Sequence, residues 1–342
     1  MVTGMSESES VVASTEHRVM DVVAQWLNQA KTVWLCTIVK TWGSSPRPAG
    51  SMLAYQEDCG VVGSLSGGCI EDDLIHQLRS IPPSKRPIRK VYGVDQAEVE
   101  RFLLPCGGKI ELILEYLSGD CVKHFYDLER CLVNKEAISR RVSLSTGEMQ
   151  LNKIEACSNA YSSDPQSSVE VSAIAITHHI SPAYRLLIVG LGEVAIYLAE
   201  FAKSVEFNVC ICEPRKEYIQ RYAGKSSDTL ILQTLPDDLI REKFNDPYCA
   251  IVTVAHDPRV DDLALLEALN SSAFYIGAMG SLKTSENRIS RLNQFSLSQE
   301  ALNKLHAPIG LSIGSKTPPE IAISIISELV LYRHNFKSDR HK

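Results

Sequence analysis

An apolar segment that runs through glycines into an amphipathic segment is the feature that most constrains the fold of this 342-residue chain. Residues 185–189 (RLLIV) lead directly into Gly190 and Gly192, and residues 193–204 then place apolar side chains at helical spacing. A second run, NVCICE, follows and ends at Glu213. This pattern is typical of a dinucleotide-binding βαβ unit. Such a unit has a strand, a Gly-x-Gly turn, a helix and a second strand, with an acidic residue about 20 positions after the glycines.

The same alternation continues toward the end of the chain, through AIVTVAH, VDDLALLEAL and AFYIGA to a last helix that begins at Pro318. Alternating strands and helices predict a parallel sheet. We therefore expect an α/β protein with a C-terminal Rossmann-like parallel-sheet domain over residues 183–336 and a smaller N-terminal α/β domain over residues 15–155. Residues 1–14 are predicted to be a mobile tail, and residues 156–182 a Ser-rich linker with the strand that leads into the second domain.

Charge and composition exclude several classes of protein. With 35 basic and 41 acidic side chains the formal charge is −6, so the chain lacks the basic surface that nonspecific nucleic-acid binding requires. No apolar run approaches the ~20 residues that span a bilayer, and we expect a cytoplasmic protein. The ten cysteines are dispersed, which argues against a disulfide framework or a zinc ribbon. Four of them fall on apparent strands and are predicted to be core residues: Cys36, Cys210, Cys212 and Cys249.

The Gly-x-Gly turn predicts a phosphate-binding loop. Gly190 permits the tight turn, Gly192 lets a pyrophosphate approach the amides at the helix start, and Glu213 is placed to accept a ribose hydroxyl. Glu193 puts a negative charge beside this site. The alternative is a tight strand–helix turn in a Rossmann-like domain that binds no nucleotide.

Three later segments are candidate ligand contacts: AHDPRVDD at the end of an apolar strand, YIGAMGSLKTSENR with glycines after a strand, and APIGLSIGSKTPPEIA with glycines and hydroxyls before the last helix. Ligands of open α/β sheets bind beyond the carboxyl ends of the strands, so these segments are predicted to contact an anionic ligand. The residues concerned are His256, Asp257, Arg259, Gly280, Ser281, Gly310 and Gly314. The alternatives are that the Asp-rich segment caps the following helix and that the glycines serve turn geometry alone.

Small-residue loops also mark the N-terminal domain, in GSSPRPAG, GSLSGGC and CGG. They suggest a backbone brought close to a bulky polar ligand. Cys69 falls at a predicted helix start, where the dipole favours thiolate, although Glu71 and the two aspartates after it oppose that effect. The candidate residues are Arg47, Ser66, Gly67, Gly68, Cys69 and Cys106. RRVSLSTGEMQL is predicted to form a hairpin.

Six segments in order resemble the xanthine dehydrogenase accessory protein family, also called XdhC/CoxI. They are TWGSSPRPAGSM, GSLSGGCIED, PCGG, HDPRVDD, YIGAMGSLKTSENR and APIGLSIGSKTPPEIAISIISEL. The resemblance implies a chaperone that binds molybdenum cofactor, as molybdopterin or its cytosine dinucleotide, while a cysteine desulfurase acts. It also implies delivery to an apo molybdenum hydroxylase of the xanthine or carbon monoxide dehydrogenase type, and a homodimer.

Within that resemblance, the thiolate of Cys69 or Cys106 is the expected soft contact to molybdenum or its sulfur, with Cys69 as the candidate metal contact. Arg47 is an expected phosphate or partner contact, and no residue is assigned a catalytic role. One alternative is an NAD(P)- or FAD-dependent oxidoreductase that uses His256 as its acid–base group. Another is a scaffolding protein whose Rossmann-like domain binds nothing.

Overall fold

A computed structural model of the chain describes residues 15–43, 47–68, 70–93, 109–154, 168–222, 224–225, 228–295 and 297–339. The chain divides into two compact units, whose main parts are residues 14–182 and residues 183–336. In the part that the structure describes, no helix is long and apolar enough to cross a membrane.

The N-terminal unit combines antiparallel strands with helices. Its elements in chain order are α1 (Thr15–Asn28), β1 (Val33–Trp42), β2 (Met52–Gln56), β3 (Gly60–Gly63), α2 (Glu71–Leu78), β4 (Ile88–Tyr92), β5 (Lys109–Leu117), α3 (Val122–Val133), β6 (Ile138–Ser143), β7 (Met149–Lys153), β8 (Val169–Val171) and β9 (Ala175–Ile180). One sheet has the order β3-β2-β1-β5-β4, and a second has the order β7-β6-β9-β8. The predicted hairpin is confirmed as β6 paired with β7, and the strand predicted after the Ser-rich segment is β9, which pairs with β6 in this unit.

Strand β1 is apolar on both faces because both faces of its sheet are covered. Successive side chains of a strand point to opposite faces. Val33 and Leu35 belong to the core cluster that contains the buried side of α1. Trp34, Cys36 and Ile38 belong to the cluster that contains α2. The sheet therefore lies in the middle of the unit, with α2 packed against one side.

The C-terminal unit is a six-stranded parallel sheet with helices between its strands. Its elements are β10 (Arg185–Val189), α4 (Glu193–Ser204), β11 (Asn208–Cys212), α5 (Lys216–Tyr222), β12 (Leu230–Leu232), α6 (Pro236–Lys243), β13 (Cys249–Thr253), α7 (Pro258–Ala268), β14 (Tyr275–Ala278), α8 (Leu282–Leu292), α9 (Gln299–Leu302), β15 (Leu305–His306) and α10 (Pro318–Asp339). The strand order is β12-β11-β10-β13-β14-β15, and every pairing is parallel.

This order is 3-2-1-4-5-6 in terms of strand succession, which is that of the doubly wound dinucleotide-binding fold. The predicted α/β class with a C-terminal Rossmann-like sheet is confirmed. The central strand β13 is buried at every residue, as expected for a parallel strand covered on both faces. The four cysteines predicted as core residues are all buried and free.

A buried ion pair ties the two sheets of the N-terminal unit together. The Arg140 guanidinium on β6 donates to both carboxylate oxygens of Glu115 on β5, at 3.0 and 2.7 Å. Both side chains are 3% exposed or less. The Arg140 Nε also donates to His124 Nε2 at 3.2 Å. Burial raises the free-energy cost of each charge, so each partner depends on the other for its compensation.

Replacing Arg140 with Leu is expected to lower the free energy of unfolding by about 3–5 kcal/mol, because Glu115 would remain buried without its counter-charge. The double variant Arg140→Leu/Glu115→Leu should recover much of that loss. Lys153→Met is the control, since its ion pair with Glu136 is exposed and should contribute less than about 1 kcal/mol. Urea unfolding of the full chain measures all three, and a loss in Arg140→Leu no larger than the control's would contradict the prediction.

Candidate functional site

The loop between β10 and α4 contains two glycines with different physical requirements. Gly190 has a φ of +103°, and a Cβ added there would lie 2.4 Å from the Cα of Ala255, so glycine is needed for both conformation and space. Gly192 is extended, with a φ of −154°, and begins α4 as its N-cap. A Cβ on Gly192 would meet nothing within 4 Å. The start of α4 therefore faces open space, where the helix dipole and first-turn amides favour an anion.

Glu213, which directly follows β11, is fully buried. Both oxygens of its carboxylate accept hydrogen bonds from the protein itself. One oxygen accepts the Leu191 N–H at 2.8 Å and the Arg215 Nη2 at 2.8 Å. The other accepts the backbone N–H and the Nε of Arg215, at 2.9 and 2.7 Å. These four donors match the four lone-pair positions of a carboxylate. Acceptance of a ribose hydroxyl by Glu213 would therefore require Arg215 to move.

The segment after β13 extends this cluster. Asp257 is the N-cap of α7 and accepts the Arg259 N–H at 3.0 Å, so the predicted capping role is confirmed. The Arg259 guanidinium also donates to it, and these bonds lower the pKa of Asp257. Arg215 Nη1 lies 3.8 Å from the same carboxylate. His256 is exposed and left-handed, with a φ of +57°, a conformation that costs about 1–3 kcal/mol and clusters at functional sites.

A buried pair, Asp261 with Arg288, connects the segments that follow β13 and β14. Asp261 accepts the Ala255 N–H at 3.1 Å and the Arg288 Nη2 at 3.2 Å. Arg288 also donates to the Met279 carbonyl at 3.1 Å. Burial raises the pKa of Asp261 to about 6, against the opposing effect of Arg288. This pair supports the loop that carries Gly280, a role that the sequence pattern does not indicate for either residue.

The segments around Gly280 and Gly310 follow the same pattern of internal support. Ser281 is the N-cap of α8 and accepts the Thr284 N–H at 3.2 Å. Gly310 has a φ of +97°, and its N–H donates to Glu328. Burial alone would raise the pKa of Glu328. Hydrogen bonds with His306, Tyr275 and Gly310 outweigh that effect, so the net shift of the pKa is downward.

Gly314 is also left-handed, with a φ of +76°. A Cβ there would meet nothing within 4 Å. The following residues, Lys316 and Thr317, both donate their N–H groups to Glu320 at 2.9 Å. The loop is thus closed onto the first turn of α10, and its outer side stays exposed.

In the N-terminal unit, the loop before α2 is folded around the carboxylate of Glu71. Seven donors converge on its two oxygens. They are the hydroxyls of Ser64 and Ser66 and the backbone N–H groups of Leu65, Ser66, Gly67, Gly68 and Ile70. Burial would raise the pKa of Glu71, but these bonds outweigh it and lower the pKa to about 2.

The structure thus brings the predicted residues into two groups, one in each unit. Gly190, Gly192, Glu213, Asp257 and Arg259 lie at the carboxyl ends of β10, β11 and β13. In the other unit, Ser66, Gly67 and Gly68 surround Glu71, a residue whose position in the sequence indicates only an opposing charge. Arg47 is half-buried between β1 and β2. Cys69 and Cys106 lie outside the described residues.

Comparisons with known proteins follow the same division into two units. Residues 186–329 match the family model described as the XdhC Rossmann domain, and residues 26–93 match that of the XdhC and CoxI family. Together these matches cover more than half of the chain.

Two relatives match over nearly their whole length at low sequence identity. A protein of Bacillus subtilis, named as a probable xanthine dehydrogenase subunit, is 24% identical over 331 residues, which cover 93% of this chain and 97% of the relative. The molybdenum cofactor insertion chaperone PaoD of Escherichia coli is 23% identical over 332 residues, with 97% and 93% covered. A crystal structure of a xanthine dehydrogenase from Bacillus halodurans aligns with a TM-score of 0.73 at 25% identity, over 94% of this chain and 96% of that one.

Gly190→Ala is expected to destabilise the chain by about 2–5 kcal/mol. The backbone at residue 190 is left-handed, and the added methyl would be pressed against Ala255. Gly192→Val should leave the free energy of unfolding unchanged to within about 1 kcal/mol, since its backbone is extended and its surroundings are open. Thermal and urea unfolding compare the two directly. Equal losses would show that the two glycines do not differ as the structure indicates.

Glu71→Gln is expected to show a pH-dependent loss of stability. The folded-state pKa of Glu71, about 2, lies below its ordinary value of 4.5. Its ionised form therefore stabilises the fold above about pH 4.5, and that contribution disappears as the pH falls toward 2. The stability difference between wild type and Glu71→Gln should be constant near neutral pH and shrink as the pH falls from about 4.5 to about 3. Asp72→Asn, on the exposed side of the same turn, is the control, because it removes one carboxylate of that turn and keeps the bonds between Glu71 and the loop.

Proposed function

The chain belongs to the XdhC and CoxI family, and from that premise we propose that it binds molybdenum cofactor and inserts it into molybdenum hydroxylases. The two full-length relatives support this, since one is named as a molybdenum cofactor insertion chaperone and the other as a xanthine dehydrogenase subunit. The chain covers more than nine-tenths of each relative. The similarity to these relatives thus extends over nearly the whole protein and is not confined to one domain.

In finer detail, the protein holds the cofactor as cargo while a cysteine desulfurase installs the sulfido ligand. It then delivers the cofactor to an apo-enzyme of the xanthine or carbon monoxide dehydrogenase type. We propose that it does so in the cytoplasm and as a homodimer. The cargo is molybdopterin, or its cytosine dinucleotide form, in which a pyrophosphate joins the pterin to the nucleotide.

The observation that carries the proposal is the open start of α4 at Gly192. The cargo is anionic in both forms, and a helix N-terminus that faces open space suits a phosphate or pyrophosphate. Arg215 and Arg259 lie at the same strand ends, and the side chain of Arg259 is 90% exposed. Each is paired with a carboxylate, Glu213 or Asp257, and the proposal is that their guanidinium groups donate to the cargo as well.

Further contacts are proposed within each unit taken by itself. Cys69, with Cys106 as a second candidate, supplies a soft thiolate to molybdenum or its sulfur. Arg47 contacts a phosphate or the partner enzyme. The other proposed contacts are Ser66, Gly67, Gly68, Gly190, His256, Asp257, Gly280, Ser281, Gly310 and Gly314, while Glu213 acts by holding the loop at Leu191.

The internal saturation of Glu213 favours this function over a nicotinamide-dependent oxidoreductase. A nucleotide-binding acid must have a lone pair available for the ribose, whereas Glu213 receives four donors from the protein. An anion at Gly192 needs no such rearrangement. NAD(P) and FAD are nevertheless informative competitors in a binding experiment.

The test is an anaerobic titration of the purified chain with molybdenum cofactor released from xanthine dehydrogenase, followed by gel filtration. Wild type is expected to retain the pterin. Cys69→Ser and Gly192→Val should each weaken retention at least about tenfold, or about 1.4 kcal/mol, through loss of a soft ligand and through steric exclusion. Matched controls are Cys59→Ser, at an exposed cysteine, and Gly119→Val, at a glycine with open surroundings outside every predicted loop.

Parallel titrations with NAD(H) and FAD separate the alternatives. Retention of a nicotinamide or flavin nucleotide without pterin would make the chain a redox enzyme and direct attention to His256. If no ligand is retained and none raises the unfolding temperature, a scaffolding role replaces the proposal. A ligand at about 100 times its Kd should stabilise the fold by about 2.7 kcal/mol, so bound cargo is detectable.

A further inference from the structure

We propose that Arg215 is a specificity-determining residue that closes the ribose position of the C-terminal unit, so that the open start of α4 takes a terminal phosphate and not a nucleoside diphosphate. This inference rests on the proposed function and deepens it, because it distinguishes two classes of ligand for the same site. A pterin phosphate ends at its phosphate group, whereas a dinucleotide form continues through a pyrophosphate into a ribose.

The ribose position follows from the strand order. In dinucleotide-binding sheets of this order, the pyrophosphate lies at the start of the first helix, and an acidic residue after the second strand accepts the ribose hydroxyls. In this chain the first helix is α4, and Glu213 comes directly after the second strand, β11. A ribose bound in that way therefore needs lone pairs of the Glu213 carboxylate.

Arg215 takes most of those lone pairs. Glu213 accepts one donor from Leu191 and three from Arg215, namely the backbone N–H, Nε and Nη2. The two guanidinium donors are divided between the oxygens, since Nε donates to Oε1 at 2.7 Å and Nη2 to Oε2 at 2.8 Å. Removal of this side chain would therefore free one acceptor position on each oxygen, as a pair of ribose hydroxyls requires.

The guanidinium of Arg215 is also held by residues of two other segments. Its Cζ lies 3.7 Å from the centre of the Tyr218 ring on α5, within the range of a cation–π contact. Its Nη1 lies 3.8 Å from the Asp257 carboxylate at the start of α7. The side chain is 16% exposed. A ribose that displaced it would break its contacts with Glu213, Tyr218 and Asp257 together.

Charge makes that displacement unfavourable. Glu213 is fully buried, and Arg215 supplies its counter-charge. Ribose hydroxyls are neutral donors, and hydrogen bonds from neutral donors are about half as strong as those from a guanidinium. A buried carboxylate that exchanged Arg215 for a ribose would also lose the compensation of its charge. The pair of Glu213 and Arg215 therefore favours ligands that have no ribose at this position.

A terminal phosphate does not meet the same obstacle. A Cβ on Gly192 would meet nothing within 4 Å, so the start of α4 is accessible without any rearrangement. A guanidinium has more N–H groups than the two that Glu213 accepts from it. Arg215 can thus donate to a phosphate and keep its bonds to Glu213. The two classes of ligand differ in whether Arg215 must move.

The test uses two nucleotides that differ only in the ribose hydroxyls, ADP and 2′,3′-dideoxy-ADP, titrated into the full chain by calorimetry. The readout is the ratio of the two affinities, because loss of the Arg215 charge weakens phosphate binding to both probes equally. In wild type the ratio should be near one. In Arg215→Met it should rise to at least about tenfold in favour of ADP, or about 1.4 kcal/mol, because the ribose hydroxyls then reach Glu213.

Two further variants control for charge and folding. Arg221→Met removes an exposed cation that lies 5.4 Å from the same Tyr218 ring, and it should keep the ratio near one. Arg215→Lys keeps the positive charge but not the planar fork, so the ratio should rise to at least about threefold. Arg215→Lys also decides the question if Arg215→Met does not fold. A ratio near one in every folded Arg215 variant, or above about threefold in wild type, would overturn the inference.

Retention of the cofactor separates this inference from the proposed function. Wild type should retain the pterin phosphate form at least about tenfold more tightly than the dinucleotide form, and Arg215→Met should reduce that difference. If wild type retains both forms equally, the inference is overturned while the proposed function stands. If wild type retains neither form, the proposed function fails and the choice of cargo fails with it, while the nucleotide ratio still decides whether Arg215 closes the ribose position.

Discussion

Carboxylates that accept backbone N–H groups from glycine-rich loops are the interaction on which both units depend. Glu71 holds residues 64–70, Glu213 holds Leu191, and Asp261 holds Ala255. Glu328 and Glu320 do the same for the two ends of the last loop. A glycine-rich loop loses more conformational entropy on folding than other segments. Each carboxylate supplies charge-assisted hydrogen bonds that offset this loss where few side chains are available to pack.

This use of carboxylates changes where an anionic ligand can bind. Amides that already donate to Glu71 or Glu213 are satisfied, and a phosphate gains little by competing with an internal charge. The start of α4 differs, because Gly192 faces open space and the first-turn amides of a helix have no partner within the helix. The carboxylates therefore fix the loops, and the helix start is left to receive the ligand. Gly190 contributes indirectly by allowing the end of β10 to approach Ala255.

Much of the fold could be predicted from the sequence, because its periodicities are local. The strand–glycine–helix pattern at residues 185–204, the hairpin around Gly147 and the buried cysteines all follow from neighbouring residues. The carboxylates and arginines that hold the loops could not be predicted, because tertiary packing decides which residues they contact. Arg288 follows a Gly-Ser segment, a position that indicates a cation for a ligand, yet it is buried against Asp261. The pair of Arg140 and Glu115 likewise joins two sheets and has no spacing signal.

One local sequence signal does point to a carboxylate that holds a loop. It is an acidic residue in the first turn of a helix that follows a small-residue loop. Such a residue has three separate uses: it can complement the helix dipole, cap the helix or bind back to the loop. Asp72, Asp257 and Glu71 illustrate the three, and the sequence does not distinguish them. The consequence for an acidic chain with a net charge of −6 is substantial. Glu71, Glu213 and Asp257 are compensated by amides and arginines, whereas Glu193 in the first turn of α4 is exposed beside the anion site.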